Sequence, residues 1–320
     1  MNIRSFVSVL VVTAVLSLSH VGQAALLASD SFNYTLGAGI NGQSGGSGFL
    51  AGSNWAYSTS VTSTSSSTII AGLTFSDLPV SGNAFQLRVV SSSSINFGDI
   101  VNVKRRPATV PNGTTDQFWT RCLFKMDTNI TATTFYTGLL IDDAETVSGY
   151  RKFGMWGLTG AGNGVGGVDV DTSAVSATGA TAQLSSTDTY LMISKFTNVN
   201  AASNVARVGK WWALSVADYN AIKADGITES ELDAHHVQTA TETVMPTVSQ
   251  PLNMTTSDFF DFRGHRPAVS NAFTNYMYDE FYAATTLGSL GLPVPEPTTL
   301  TLESLTLCMI GTRARRRKNS

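Results

Sequence analysis

The sequence predicts an all-β chain, an antiparallel sandwich of the jelly-roll kind with a short helical insertion. Three observations carry this. Eight segments alternate apolar and polar residues with period two, the pattern of strands that bury one face. Clusters of Gly, Asn, Asp and Ser separate them at turn positions. Only 13% of the 320 residues are charged, and the shortfall is filled by Ser, Thr, Gly and Asn, which suit turns and wet strand faces. At 42% hydrophobic residues, the chain has enough apolar side chains for a large core.

From the start, MNIRSFVSVLVVTAVLSLSHVGQAA places Arg4 before an apolar run from Phe6 to Leu18 and a small-residue exit. This is the layout of a secretory signal peptide (residues 1–24) cleaved after Ala24, and the run falls short of the roughly 20 residues of a spanning helix. A first strand is expected from Leu26 to Tyr34, then a Gly-rich loop from Gly37 to Gly48. Gly45, Gly46 and Gly48 run into Phe49, Trp55 and a Ser/Thr stretch, not into a helix, so they form no phosphate cradle. The loop reads as a flexible surface connection, and no cofactor is expected. The Ser/Thr run from Tyr57 to Thr68 reads as a polar connector or exposed edge.

Next, AFQLRVV sets Phe85, Leu87 and Val89 against Gln86 and Arg88. Lys104, Arg105 and Arg106 beside Pro107 read as a solvated strand end. QFWTRCLFKMD sets Phe118, Cys122, Phe124 and Met126 on one face and Trp119, Arg121, Leu123 and Lys125 on the other. Cys122 among these apolar neighbours reads as a buried, inert thiol. The second cysteine, Cys308, lies in the tail, so neither a disulfide framework nor a cysteine zinc site is expected.

TFYTGLLI and YRKFGMWG read as strands, followed by a long Gly/Ala/Ser/Thr loop from Gly157 to Asp188 with a weak strand or two. TYLMISKF and ARVGKWWAL return to alternation. Between Ser215 and Gln238 the spacing turns helical, and Thr228 with Glu231 fits a capping box. DFFDFRG and NYMYDEFYA then complete the strands.

Few residue groups suggest chemistry. DGITESELDAHH gathers acids and histidines, but Lys223 and Ala221 stand where an EF-hand needs oxygen ligands, and His235 and His236 are adjacent, on different helix faces. A solvated helix end is expected, with no metal. Glycoside hydrolysis needs two facing carboxylates. The acids occur as Asp142, Asp143 and Glu145, as Asp169 and Asp171, as Asp258 and Asp261, and as Asp279 and Glu280, without the E-x-D-x-x-E string of laminarinase-like sandwiches. A G-x-S-x-G nucleophile elbow is not assigned in the sequence, and His265 reads as a surface residue. No catalytic residue is assigned. Trp211 and Trp212 are adjacent, so in a strand they face opposite ways, and either offers a sugar-stacking platform if it is not packed beneath the following helix. Residues 25–297 hold 14 basic and 22 acidic side chains, which argues against a nucleic-acid partner.

The chain ends VPEPTTLTLESLTLCMIGTRARRRKNS. A helix over Thr298 to Thr312 would span about 22 Å, less than the roughly 30 Å of a hydrocarbon core. Glu303 adds about 2.5–3.5 kcal/mol against insertion if it lies near the centre. The segment suits transient membrane contact, its arginines held on the cytoplasmic side. This tail, residues 291–320, resembles the PEP-CTERM sorting signals through Pro295, Glu296 and Pro297 and the basic end Arg313, Arg315, Arg316 and Arg317; the apolar segment departs from that pattern with Thr299, Thr301, Glu303, Ser304 and Thr306. The resemblance implies recognition by an exosortase-type membrane enzyme, removal of the tail, and delivery to the surface or extracellular matrix of a Gram-negative bacterium. In residues 25–290, SFNYTLGAGINGQSGGSGF and NYMYDEFYAATT resemble the first and last strands of concanavalin A-like (LamG-type) domains. That likeness implies neighbouring terminal strands, with residues 32–34 near residues 278–281. The function expected is a non-catalytic exported protein able to bind polysaccharide, the alternative being a secreted glycan-active hydrolase or lyase-like enzyme.

Overall fold

The computed structural model describes residues 25–59, 65–90, 100–111, 117–127, 136–142, 151–160, 163–170, 173–176, 184–200, 205–244, 254–265 and 273–293. The expected signal segment with Ala24, and the tail from residue 294 onward, lie outside the described residues.

The described strands form two antiparallel sheets. In chain order they are β1 (Leu26–Asp30), β2 (Ala56–Thr59), β3 (Ser66–Ala71), β4 (Asn83–Val90), β5 (Ile100–Arg105), β6 (Gln117–Met126), β7 (Tyr136–Asp142) and β8 (Arg151–Gly160). They continue as β9 (Asn163–Val170), β10 (Ser173–Ser176), β11 (Tyr190–Thr197), β12 (Arg207–Leu214), β13 (Gln238–Val244), β14 (Phe259–His265) and β15 (Phe273–Ala284). One sheet has the order β13-β12-β11-β6-β15-β4-β3 with β1 also paired to β15; the other has the order β10-β9-β8-β7-β14-β5-β2. The chain is thus the expected jelly-roll sandwich. Its terminal strands are neighbours, with Asp30 opposite Phe281 and Leu26 opposite Ala284. β2 and β3, which flank the Ser/Thr run, are the edge strands of their sheets, where polar side chains discourage pairing with other chains.

Between the sheets, strand alternation delivers an aromatic core. The Phe262 ring lies 5.0 Å from Phe85, 5.0 Å from Tyr278 and 5.4 Å from Phe281, in edge or tilted contacts that suit the ring quadrupoles. Phe85, Leu87 and Val89 are buried and Arg88 is exposed, as the spacing requires.

β6 departs from the expectation of one wet face. Phe118, Cys122, Phe124 and Met126 join the intersheet core, while Trp119 and Leu123 enter a second apolar cluster on the far side of the same sheet. That far side is roofed by Leu73, Phe75 and Leu78, by helices α1 (Val216–Ile222) and α2 (Glu229–Ala234), and by a 3₁₀ turn at Leu287–Leu290. The helical excursion is therefore a lid over an oily sheet face. Burial pushes the Cys122 thiol pKa up, which keeps it protonated and inert. The full capping box forms on α1, between Ser215 and Asp218, and not at the expected place; on α2 only the Thr228 half is made, to Glu231 N at 3.2 Å. The fold also runs past the expected boundary at 290, since the Pro293 carbonyl accepts from Ile227 N at 2.8 Å. No helix among the described residues is long and apolar enough to cross a membrane.

β15 changes partner, from β4 to β1, at a bulge between Asp279 and Tyr282. Glu280 sits there with φ of 49°, a conformation that side chains other than glycine seldom adopt. The bulge aims two buried carboxylates at the segment that leads from β3 to β4. Asp279 Oδ2 accepts from Leu73 N at 2.8 Å, Glu280 Oε1 accepts from Ser81 N at 2.5 Å, and Arg121 lies 3.8 Å from Glu280. Burial outweighs the two backbone donors on Asp279 and, with the nearby Glu280 and Asp30 charges, raises its pKa to about 7. The folded state then holds this proton more tightly than the unfolded chain. Stability from this group is fully present near pH 4 and is lost as pH rises through 7. Between pH 4.5 and 8 the urea midpoint of wild type is expected to fall relative to that of Asp279→Asn, and parallel curves would refute this titration.

Candidate functional site

The Gly-rich segment and the Lys104–Arg106 cluster, read separately from sequence as a flexible loop and a solvated strand end, build one structure. Asp30 is the hub. Its carboxylate accepts from Phe32 N at 2.7 Å, Tyr34 Oη at 2.5 Å and Trp55 Nε1 at 2.8 Å, with Arg105 at 3.5 Å. Burial and the Asp30 charge raise the Tyr34 pKa, so the phenol stays a donor. Arg105 donates to the carbonyls of Ser44 at 2.9 Å, Gly45 at 2.5 Å and Ser53 at 3.0 Å, and its plane covers Phe49 at 3.9 Å. The loop is thereby stapled to β5. Ser44 stands in the string Gly42-Gln43-Ser44-Gly45-Gly46, which matches a serine-hydrolase pentapeptide in letters but joins turns instead of a strand and a helix.

The same staple shapes a pocket. Leu50 N donates to Arg106 O at 3.0 Å and Arg106 N donates to Ser53 Oγ at 3.2 Å, which hangs the turn 50–53 over the end of β5. A cavity of about 270 Å³ lies beneath it, lined by that turn, Asn54, Ala56, Lys104, Arg106 and Phe259. Lys104 and Phe259 are buried, at 1% and 5% exposure, and the Arg106 guanidinium lies 4.6 Å over the Phe259 ring. Lys104 is not a solvated strand end because Val101 and Val103 point into the intersheet core, which turns Lys104 and Asn102 onto the opposite face. On the neighbouring β14, Phe260 and Phe262 likewise face the core and Phe259, Asp261 and Arg263 face away.

This outer face carries a row of polar groups across β2, β5 and β14. Ser58 stands opposite Asn102, Asn102 opposite Arg263, and Lys104 opposite Asp261. Lys104 Nζ is 3.7 Å from Asp261 Oδ2, to which Arg263 donates at 2.8 and 3.2 Å. Among the described residues, no group hydrogen-bonds either amide atom of Asn102 or the Ser58 hydroxyl. A cavity with a buried aromatic ring, two cations and nearby amide and hydroxyl groups suits a polar ligand held by hydrogen bonds.

The residues predicted from sequence fall elsewhere. Trp211 and Trp212 do face opposite ways, but neither can serve as a sugar-stacking platform, because both indoles are buried. Trp211 is at 1% exposure in the intersheet core; Trp212, at 0%, stacks on Trp119 at 6.0 Å under α2 and donates to Asp233 at 2.9 Å. Sequence reasoning assumed one open sheet face where the helical lid closes it. Ala24, Pro295, Glu296, Pro297, Arg313, Arg315, Arg316 and Arg317 lie outside the described residues. The acids of α2 are held by lysines: Glu229 by Lys195 at 2.5 Å and Lys210 at 3.1 Å, and Asp233 by Lys210 at 3.1 Å. Among the described residues, no three His, Cys, Asp or Glu side chains gather around a common point that could hold a metal. The signal that could have found this face was present in VNVK and FDFR, where Asn102, Lys104, Asp261 and Arg263 occupy one parity and the core residues Val101, Val103, Phe260 and Phe262 the other.

No family model matches the chain, and no curated protein matches it in sequence. Among solved structures, it is similar to an endo-β-1,4-glucuronan lyase from the fungus Trichoderma reesei, at 12% identity and a TM-score of 0.46, over 78% of this chain and 97% of that one. It is also similar to the cellulose induced protein Cip1, at 11% identity and 0.40, over 72% and 91% of the two chains. A third is the binding domain of botulinum neurotoxin serotype C1, at 10% identity and 0.41, over 82% of this chain and 49% of that one.

Proposed function

We propose that this chain is an exported, non-catalytic surface or matrix protein that binds polysaccharide in the pocket beneath the turn 50–53. The observation that carries the binding is the cavity itself, lined by Lys104, Arg106 and Phe259 together with Ser53 and Asn54. Sugars offer hydroxyls to such donors and C–H faces to a ring. Its lining among the described residues supplies cations and hydrogen-bonding groups and no carboxylate, which speaks against hydrolysis by a carboxylate pair.

Export is supported by the signal-peptide layout that ends at Ala24, and sorting by the pattern of Pro295, Glu296, Pro297 and the terminal arginines. In this reading an exosortase-type enzyme removes the tail during its transient membrane contact, and the folded domain remains outside a Gram-negative cell. Mass spectrometry of the protein from its own host tests sorting: a new start at Ala25 and loss of Arg313 to Ser320 is expected, and surface material that retains Arg315 to Ser320 would overturn it. Isothermal titration with a panel of polysaccharides, followed by analysis for shortened products, tests the rest. Binding without new chain ends is expected. Product formation would move the chain to the enzyme class.

A further inference from the structure

We infer that the pocket selects an anionic sugar unit, whose carboxylate or sulfate is received by Arg106. This rests on the polysaccharide reading above and narrows it. Arg105 meets Asp30, Arg121 meets Glu280 and Arg263 meets Asp261. Arg106 differs from all three. Among the described residues, no carboxylate pairs with its guanidinium, and no acceptor reaches its buried Nε. The contacts it does make fix its place: its backbone N–H and C=O hold the turn 50–53, and its plane lies over Phe259.

An oriented, partly desolvated guanidinium in a cavity is suited to a planar carboxylate or a sulfate oxygen pair, because its donors lie in a fixed fork. Lys104 adds a second cation to the lining, already near Asp261, and so sets the sign of the local field without depending on the ligand. The surrounding chain is acidic, with 22 acidic and 14 basic residues between 25 and 297. General attraction of polyanions is therefore unfavourable, and recognition has to come from this local site.

The test is isothermal titration of the full chain with three oligosaccharides of equal length: a polygalacturonate fragment, a sulfated galactan fragment and a neutral β-glucan fragment. Tighter binding of at least one anionic fragment than of the neutral one, by about tenfold or more, is expected from one charge-assisted hydrogen-bonded contact. The two anionic arms distinguish carboxylate from sulfate. Arg106→Gln should bring the affinity for the anionic fragment down to that for the neutral one; Arg106→Lys, which keeps charge but loses the fork, should fall between. Circular dichroism and urea midpoints of both variants should match wild type. Equal or better binding of the neutral fragment overturns the anionic assignment alone, as does an Arg106→Gln variant that keeps its preference. Failure of all three to bind overturns this inference and the polysaccharide reading together.

Discussion

Gly48→Ala is expected to destabilise the fold by about 4 kcal/mol or more, measured as the loss of unfolding free energy in urea. Two effects combine at this position. Gly48 has φ of +75°, where an alanine costs roughly 1–2 kcal/mol from the clash of its Cβ with the backbone. A Cβ there would also lie 1.8 Å from the Leu27 carbonyl oxygen and 2.7 Å from Ala28 Cα, both on β1, so no side chain can swing aside to make room. The close approach exists because Ser29 and Ser47 exchange backbone hydrogen bonds at 3.0 and 2.8 Å and the Gly48 carbonyl accepts from Ala108 N at 2.8 Å. Gly42→Ala separates the two effects. Gly42 has φ of +84° but open space around its Cβ, so only the backbone term, roughly 1–2 kcal/mol, is expected. Equal losses in the two variants would show that the packing of the loop on β1 contributes nothing.

The contrast between these glycines shows how far the sequence could be read. Period-two alternation located β4, β6, β11, β12, β14 and β15, because each has a core face whose residues are apolar regardless of which strand lies beside it. Neighbouring terminal strands were implied by a resemblance at both ends of the domain. What alternation could not reveal was anything set by register across distant segments. Lys104 and Arg105 looked like solvent-facing charges because their partners, Asp261 and Asp30, lie far away in the chain. The same limit hid the Gly-rich staple, whose anchors are Arg105 side-chain donors to backbone carbonyls, for which no local spacing exists. Trp212 failed for a different reason. A strand buried on both faces violates the one-wet-face premise, and the lid that covers it is formed by segments remote from β12 as well as by the adjacent helices.

Arg105→Met provides the sharpest test of the staple, with an expected loss of about 3–5 kcal/mol. Methionine keeps an unbranched apolar stem and loses the guanidinium, including its contact over Phe49, so the loss reports that group. Removal strips the donors from the Ser44, Gly45 and Ser53 carbonyls and leaves Asp30, at 2% exposure, as a buried carboxylate without its cation. Phe32 N, Tyr34 Oη and Trp55 Nε1 still donate to it, but hydrogen bonds from neutral groups do not cancel a buried charge. Adding Asp30→Asn removes that charge and should recover part of the loss, so the double variant should be more stable than the sum of the single variants predicts. The binding consequence follows from the same bond. With Ser53 no longer tied to Arg105 Nε, the turn 50–53 loses one of its anchors over the pocket, and glycan affinity should fall even at urea-free, fully folded conditions. A single variant within about 1 kcal/mol of wild type, or a strictly additive double variant, would mean that the loop is held by its glycine turns and β1 pairing alone.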